Sequence, residues 1–120
     1  MIEIEISNRQ ISQAFEAERL TGAARMVLSD EGIRRGTVSI AVMDDPSIRQ
    51  LNCQYLQHDY ATDVLSFLLE SGPHFLEGQI VVSADTAARM APQFGWSVDD
   101  ELLLYVIHGV LHLVGYDDVT

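Results

Sequence analysis

Ile2, Ile4 and Ile6 alternate with Glu3, Glu5 and Ser7, a period of two that sets one face of a strand against a core and turns the other to water. Between Ile11 and Ser29 the period lengthens. Ile11, Phe15, Leu20, Ala23, Ala24, Val27 and Leu28 recur near helical spacing, with Asn8 or Ser12 as the cap and Asp30-Glu31-Gly32 as the stop. Thr37 to Met43 alternates again and is rich in β-branched residues, which predicts a second strand. Asp44-Asp45-Pro46-Ser47 then reads as a helix start, with Asp45 as N-cap and Pro46 at the first helical position. That helix carries Ile48, Leu51, Asn52 and Tyr55 into a polar loop from Gln57 to Ala61.

Val64 to Leu68 and Gln79 to Ser83 are the next strands, paired as a hairpin whose long loop holds the turn signal Glu70-Ser71-Gly72-Pro73-His74. Ala84 to Phe94 forms a helix capped at Ser83 or Asp85, and Gly95-Trp96-Ser97 breaks it. Ser97 opens the last helix, with Asp99, Asp100 and Glu101 in its first turn, where the helix dipole favours acids. The order β-α-β-α-β-β-α-α predicts an α+β fold, a mixed four-stranded sheet covered by helices, with residues 1–120 forming one domain. The last helix is expected to lie across the sheet on Leu103, Leu104, Val106, Ile107, Val110 and Leu111.

At 120 residues and 48% hydrophobic content, the chain holds enough apolar material for a single core. No run approaches the ~18 apolar residues of a membrane helix. Met1-Ile2-Glu3-Ile4-Glu5 also lacks the basic-then-apolar order of a secretory signal. A cytoplasmic protein with no membrane partner is expected. Cys53 is the only cysteine, which rules out an internal disulfide and a cysteine zinc cluster, and a small buried or half-buried thiol is expected there, with no disulfide-linked partner. The formal charge of −11 opposes general polyanion binding. It is unevenly spread: six arginines meet eight acids in the first fifty residues, whereas Arg89 alone meets ten acids in the rest. An arginine face on the N-terminal half is therefore open to phosphate, with solvated helix-face charge as the alternative.

The candidate chemistry lies at the end of the chain. His108 and His112 are four apart in an apolar helical run, so both imidazoles stand on one face, one turn apart, and can aim at one cation. The alternative is a pair of half-buried helix-face histidines. Gly115 is placed to take a left-handed conformation and turn the chain back, bringing Asp117 and Asp118 toward the pair. Two imidazoles and a carboxylate suit zinc, and the same set suits iron or another first-row metal. Gly109 holds the place where a His-Glu-x-x-His metalloprotease carries its general base, which disfavours a peptidase of that kind. Glu101, seven residues before His108, either orients a ligand or moves a proton, or is a solvent-facing acid at the helix start.

Two segments together resemble the YbeY family of bacterial rRNA maturation factors. His108-Gly109-Val110-Leu111-His112-Leu113-Val114-Gly115-Tyr116-Asp117 follows the family pattern His-Gly-x-Leu-His-Leu-x-Gly-Tyr-Asp-His up to its last position. Leu51-Asn52, Tyr55, Asp59 and Thr62-Asp63-Val64-Leu65-Ser66-Phe67 resemble the second signature. The resemblance implies a metal-dependent, single-strand-specific endoribonuclease acting in 16S rRNA 3′-end maturation and ribosome biogenesis, with RNA of the small ribosomal subunit as partner. It implies one zinc held by His108 and His112, with Asp118 at the position of the family's third histidine and Asp117 as the neighbouring fallback. Glu101 and Asp117 are then the candidate proton-transfer groups beside the two histidines.

Leu56 replaces an arginine common in relatives, and Gln79 replaces an aspartate. Thr62-Asp63 is either a cleft floor or a turn pair. Ser66 is a possible phosphate donor, His58 an auxiliary acid, an RNA contact or an exposed loop residue, and His74 a surface residue. Beside the nuclease stand two other readings: a non-catalytic ribosome-assembly factor whose metal pins the helix end, and a hydrolase of peptides or small molecules.

Overall fold

The computed structural model describes residues 1–116. Its elements are β1 (Ile2–Arg9), α1 (Ala17–Asp30), β2 (Arg35–Met43), α2 (Asp45–Leu56), β3 (Val64–Gly72), β4 (Phe75–Ser83), α3 (Ala84–Phe94) and α4 (Val98–Leu113). The sheet order is β1-β2-β4-β3, with β1 and β4 parallel to β2 and β3 antiparallel to β4. This is the mixed four-stranded α+β architecture expected from the alternation of periods.

The two faces of the sheet are covered unequally. Ile2, Val38, Ile40, Val42, Leu76, Ile80 and Val82 pack beneath α1, α3 and α4, which contribute Leu20, Ala24, Leu28, Ala87, Leu102, Val106 and Val110. On the other face only α2 packs, placing Ile48 against Leu65 and Val81, with Met43, Leu51 and Phe67 around them. The uncovered remainder of that face forms an open hollow of about 980 Å³ lined by Ser39, Gln79, Tyr55, Phe67 and Arg9 among others.

Several boundaries differ from the sequence expectation, each for a visible reason. Helix α1 starts at Ala17, and Ile11 is exposed. The Gln10 amide takes over the backbone of the preceding segment: its Nε2 donates to Asn8 Oδ1 (2.7 Å) and Gln13 O (2.8 Å), and Gln13 N donates to its Oε1 (2.9 Å). Neither Asn8 nor Ser12 caps the helix. Glu16 is the N-cap, and its N–H donates to Asp99 Oδ1 of α4 (3.0 Å). At α2 the cap is Asp44, which accepts from Ser47 N, and Asp45 is already helical. Asp45 instead accepts from Ser83 Oγ, Thr86 Oγ1 and Arg89 Nη1, tying the start of α2 to the start of α3.

The hairpin is tight where a long loop was expected. Gly72 pairs with Phe75 across Pro73-His74, and His74 takes φ +59°, the left-handed conformation that the second central residue of a type II turn adopts after proline. His74 is exposed yet tied down, with its ring nitrogen 2.9 Å from Gly32 O and its carbonyl accepting from Arg34 N and Arg35 N. Cys53 is exposed on α2, against the expected burial. Helix α4 meets the sheet on Leu102, Tyr105, Val106, Gly109, Val110 and Leu113, and Leu104 faces out. Among the described residues no helix is long and apolar enough to cross a membrane.

Candidate metal centre

Helix α4 is fixed first at its beginning. Ser97 Oγ accepts from Asp100 N and Asp100 Oδ2 accepts from Ser97 N, each 3.1 Å, a reciprocal capping box that satisfies two otherwise orphaned N–H groups. Asp100 also meets Arg19 Nη2 of α1 at 2.6 Å. That hydrogen bond, followed by those from Ser97, holds the Asp100 carboxyl below the usual carboxylate range.

Glu101 is buried at 2% exposure, which excludes the solvent-facing reading. Its Oε1 accepts from Trp96 Nε1 at 2.7 Å. Tyr105, one turn on, is buried as well. Burial, then its hydrogen bond to Glu101 and the charges of Glu101 and Asp63, push its hydroxyl far above the ordinary phenol range. Tyr105 is the site neighbour that sequence reading missed, although its position four after Glu101 and three before His108 would have shown it.

The middle of α4 lies unusually close to the sheet. A Cβ built on Gly109 would come within 2.8 Å of Ile80 Cγ2 and 3.2 Å of Ser66 Oγ and Val64 Cγ2. Gly78 on β4 likewise makes room for Leu113, whose Cδ1 would lie 2.8 Å from an added Cβ. The glycine after His108 is thus required by packing, and its position faces the sheet, where a general base would find no substrate. Ser66 Oγ donates to Gly109 O (3.1 Å), so this hydroxyl secures the helix.

His108 and His112 project on the exposed side of this anchored segment. Their ring centroids are 6.5 Å apart at 65° between planes. With metal–imidazole bonds of about 2.0–2.1 Å, that separation is on the scale of two rings flanking one cation, so the pair fits the donor set of such a site. The chain turns where expected, at Gly115 with φ +106°, and Gly115 N and Tyr116 N donate to His112 O and Leu111 O. Asp117 and Asp118 lie outside the described residues. Among the described residues no three His, Cys, Asp or Glu side chains group to hold a metal, and Glu101 is therefore not gathered with the two histidines.

Loop 57–63 leads into β3, whose first residue, Val64, lies against Gly109 of α4. Asp63 Oδ1 accepts from Val64 N (2.8 Å) and Thr62 Oγ1 (3.3 Å), and Asp63 O accepts from Ser83 N (2.9 Å), which fixes the pair at the entry to β3. Gln79 is on the opposite face of the sheet, at the open hollow, and Leu56 is half exposed at the end of α2.

A sequence profile of the family described as Endoribonuclease YbeY matches residues 1–120. A relative from Rhodopirellula baltica named Endoribonuclease YbeY is 46% identical over 101 residues, covering 82% of this chain and 52% of its own length. One of the same name from Syntrophotalea carbinolica is 40% identical over 119 residues, covering 95% of this chain and 79% of its own length. A Thermotoga maritima protein solved in solution superimposes with a TM-score of 0.60 at 29% identity, over 98% of this chain and 74% of that one.

Proposed function

The chain belongs to the endoribonuclease YbeY family, and from that premise we propose that it is a metal-dependent nuclease that cuts single-stranded RNA during maturation of the 16S rRNA 3′ end. The observation that carries this reading is the exposed His108–His112 pair on a helix segment locked to the sheet by Gly109 and Ser66. His108 and His112 would hold the cation, with Asp118 as third ligand and Asp117 as its fallback. Zinc suits this set, and another first-row metal suits it too because the third ligand is a carboxylate. When bound, the cation supplies Lewis acidity at a phosphoryl oxygen and a nucleophile at neutral pH.

The chain's own residues divide the remaining work. Asp117 is the nearest acid in sequence for moving a proton. Glu101 acts at a distance, holding Tyr105 and Trp96 and so the course of α4. The partner is RNA of the small ribosomal subunit, and the compartment is the cytoplasm.

The test is His112→Ala, with bound metal measured by mass spectrometry and cleavage measured on a single-stranded RNA. The expected result is loss of metal and a fall in cleavage beyond about 100-fold, since loss of even an outer-shell partner costs 10–100-fold. A metal-free variant that cuts at the wild-type rate overturns the proposal. Chelation separates the assembly-factor alternative, because a structural site unfolds as metal leaves whereas a catalytic one loses activity first.

A further inference from the structure

The loop between α2 and β3 carries two aromatic rings in an arrangement that the fold itself does not use. His58 and Tyr60 are both exposed, and their rings stack with centroids 5.4 Å apart and planes 12° from parallel. Tyr60 Oη lies 3.2 Å from His58 Nδ1, which locks the two together. Neither ring belongs to either core cluster.

The backbone beneath them is held with a density unusual for a surface loop. Gln57 takes φ +59° and its N–H donates to Cys53 O, and His58 N donates to Asn52 O (3.2 Å). Asn52, buried at 1% exposure, donates through Nδ2 to Tyr60 O (3.0 Å). Arg49 Nε pairs with Asp59 Oδ1 at 2.8 Å. Side chains and backbone of α2 thus order a loop whose apolar surface faces water. Ordering of that kind lowers the cost of binding a flat ligand, because the entropy is already spent.

The loop that carries the platform leads into β3, which packs against the histidine-bearing segment of α4. His108 and His112 stand on the exposed side of α4, and Gly109 beside His108 faces the sheet. Val64, the residue after Asp63, packs against that segment, its Cγ2 lying 3.2 Å from where a Cβ on Gly109 would stand. Tyr60 is four residues before Val64, at most about 14 Å of chain, and His108 is the neighbour of Gly109 in α4. The rings therefore stand within a few nucleotides of single strand from the metal ligands.

We propose that His58 and Tyr60 form a stacking platform for an unpaired base of the RNA substrate, beside the scissile phosphodiester. The inference rests on the nuclease reading above. It also answers the difficulty posed by a net charge of −11: a chain that cannot lean on phosphate neutralisation draws affinity from base–aromatic stacking, which is indifferent to charge and to sequence. A base held in a duplex cannot reach the rings, so the platform selects single strands.

The test uses a nuclease-resistant 2′-O-methyl oligonucleotide carrying 2-aminopurine, whose fluorescence is quenched on stacking, with affinity read by anisotropy. The wild-type protein is expected to bind and quench. The double variant His58→Ala, Tyr60→Ala is expected to bind about tenfold more weakly or worse, the scale of one lost stacking contact, with the quench abolished and its metal content and melting temperature retained. Tyr60→Phe, which keeps the ring, should keep most of the affinity and the quench. Equal binding and quench by the double variant overturn the platform while leaving the nuclease reading intact. Failure of the wild-type protein both to bind single-stranded RNA and to cut it overturns that reading and the platform with it.

Discussion

The two ends of α4 are built to opposite rules. At the beginning, each acid of the first turn has a partner: Asp99 accepts from Glu16 N, Asp100 from Arg19 and Ser97, and Glu101 from Trp96. At the end, closeness to the sheet and one hydroxyl bond from Ser66 take over, with Gly109 and Gly78 allowing contact that no larger residue permits, and the histidines stand outward. One end fixes where the helix is, and the other uses that fixed position. Of the three acids only Glu101 is a candidate for chemistry from the sequence, and in the fold it accepts from Trp96 at the anchored end.

The widest separation between the two ends is expected from Glu101→Ala. The variant takes the acceptor from Trp96 Nε1–H, a partly buried group, and empties a buried position one turn before Tyr105, at about 1–3 kcal/mol in all. Thermal melting should fall by ten degrees or so, at roughly 4–8 °C per kcal/mol for a small domain. Cleavage per folded, metal-loaded molecule should hold. A large fall in kcat at full metal occupancy and unchanged folded fraction would instead return Glu101 to the reacting atoms.

Gly109→Ala probes the other end and is expected to cost less. The added methyl must displace Ile80, Ser66 or Val64, at about 1–3 kcal/mol for overpacking, against a gain of up to about 1 kcal/mol in helix propensity. Because Gly109 lies beside His108, the displaced helix should lose metal affinity along with stability. Urea unfolding and metal titration on the same sample check both. A variant that is destabilised but binds metal normally would show that the close approach serves the core alone.

How much of this was legible follows from where the deciding partners lie. The alternation of Ile2, Ile4 and Ile6 and the His108–His112 spacing are local patterns, and both led to the observed placement. The start of α1 was not legible, because the Gln10 amide and Asp99, far along the chain, decide it. The first half of β4 read as loop because Glu77 and Gly78 interrupt its apolar run, although Gly78 is there to admit Leu113. Asp99, Asp100 and Glu101 are alike in sequence and differ only in the residues that fold against them. The ring stack of His58 and Tyr60 was half visible: His58 was in view, but Tyr60 lay unremarked in a loop read as polar, and the mutual geometry depends on Asn52 and Gln57.

The smallest effect expected is in the capping box, and it adds the pH axis to the comparison. Ser97→Ala removes the acceptor of Asp100 N, at about 1 kcal/mol, and should leave metal content untouched. The carboxyls of Asp100 and Asp45 both sit below their ordinary value of 3.8 in the folded chain. For Asp100 the cause is foremost its hydrogen bond to Arg19; for Asp45, burial opposes the shift and the bonds from Ser83, Arg89 and Thr86 outweigh it. A depressed folded value means that the unfolded chain takes up protons first as pH falls. The stabilisation is therefore complete above the unfolded range near pH 3.8 and is lost as pH drops through the lower folded values. Stability should thus be insensitive to these groups from neutral pH to about pH 5 and fall steeply below it. Asp100→Asn should flatten part of that acid slope, read as the change of urea midpoint with pH. An unchanged slope would move the acid-sensitive anchoring away from the start of α4, to Asp45 and the junction of α2 with α3.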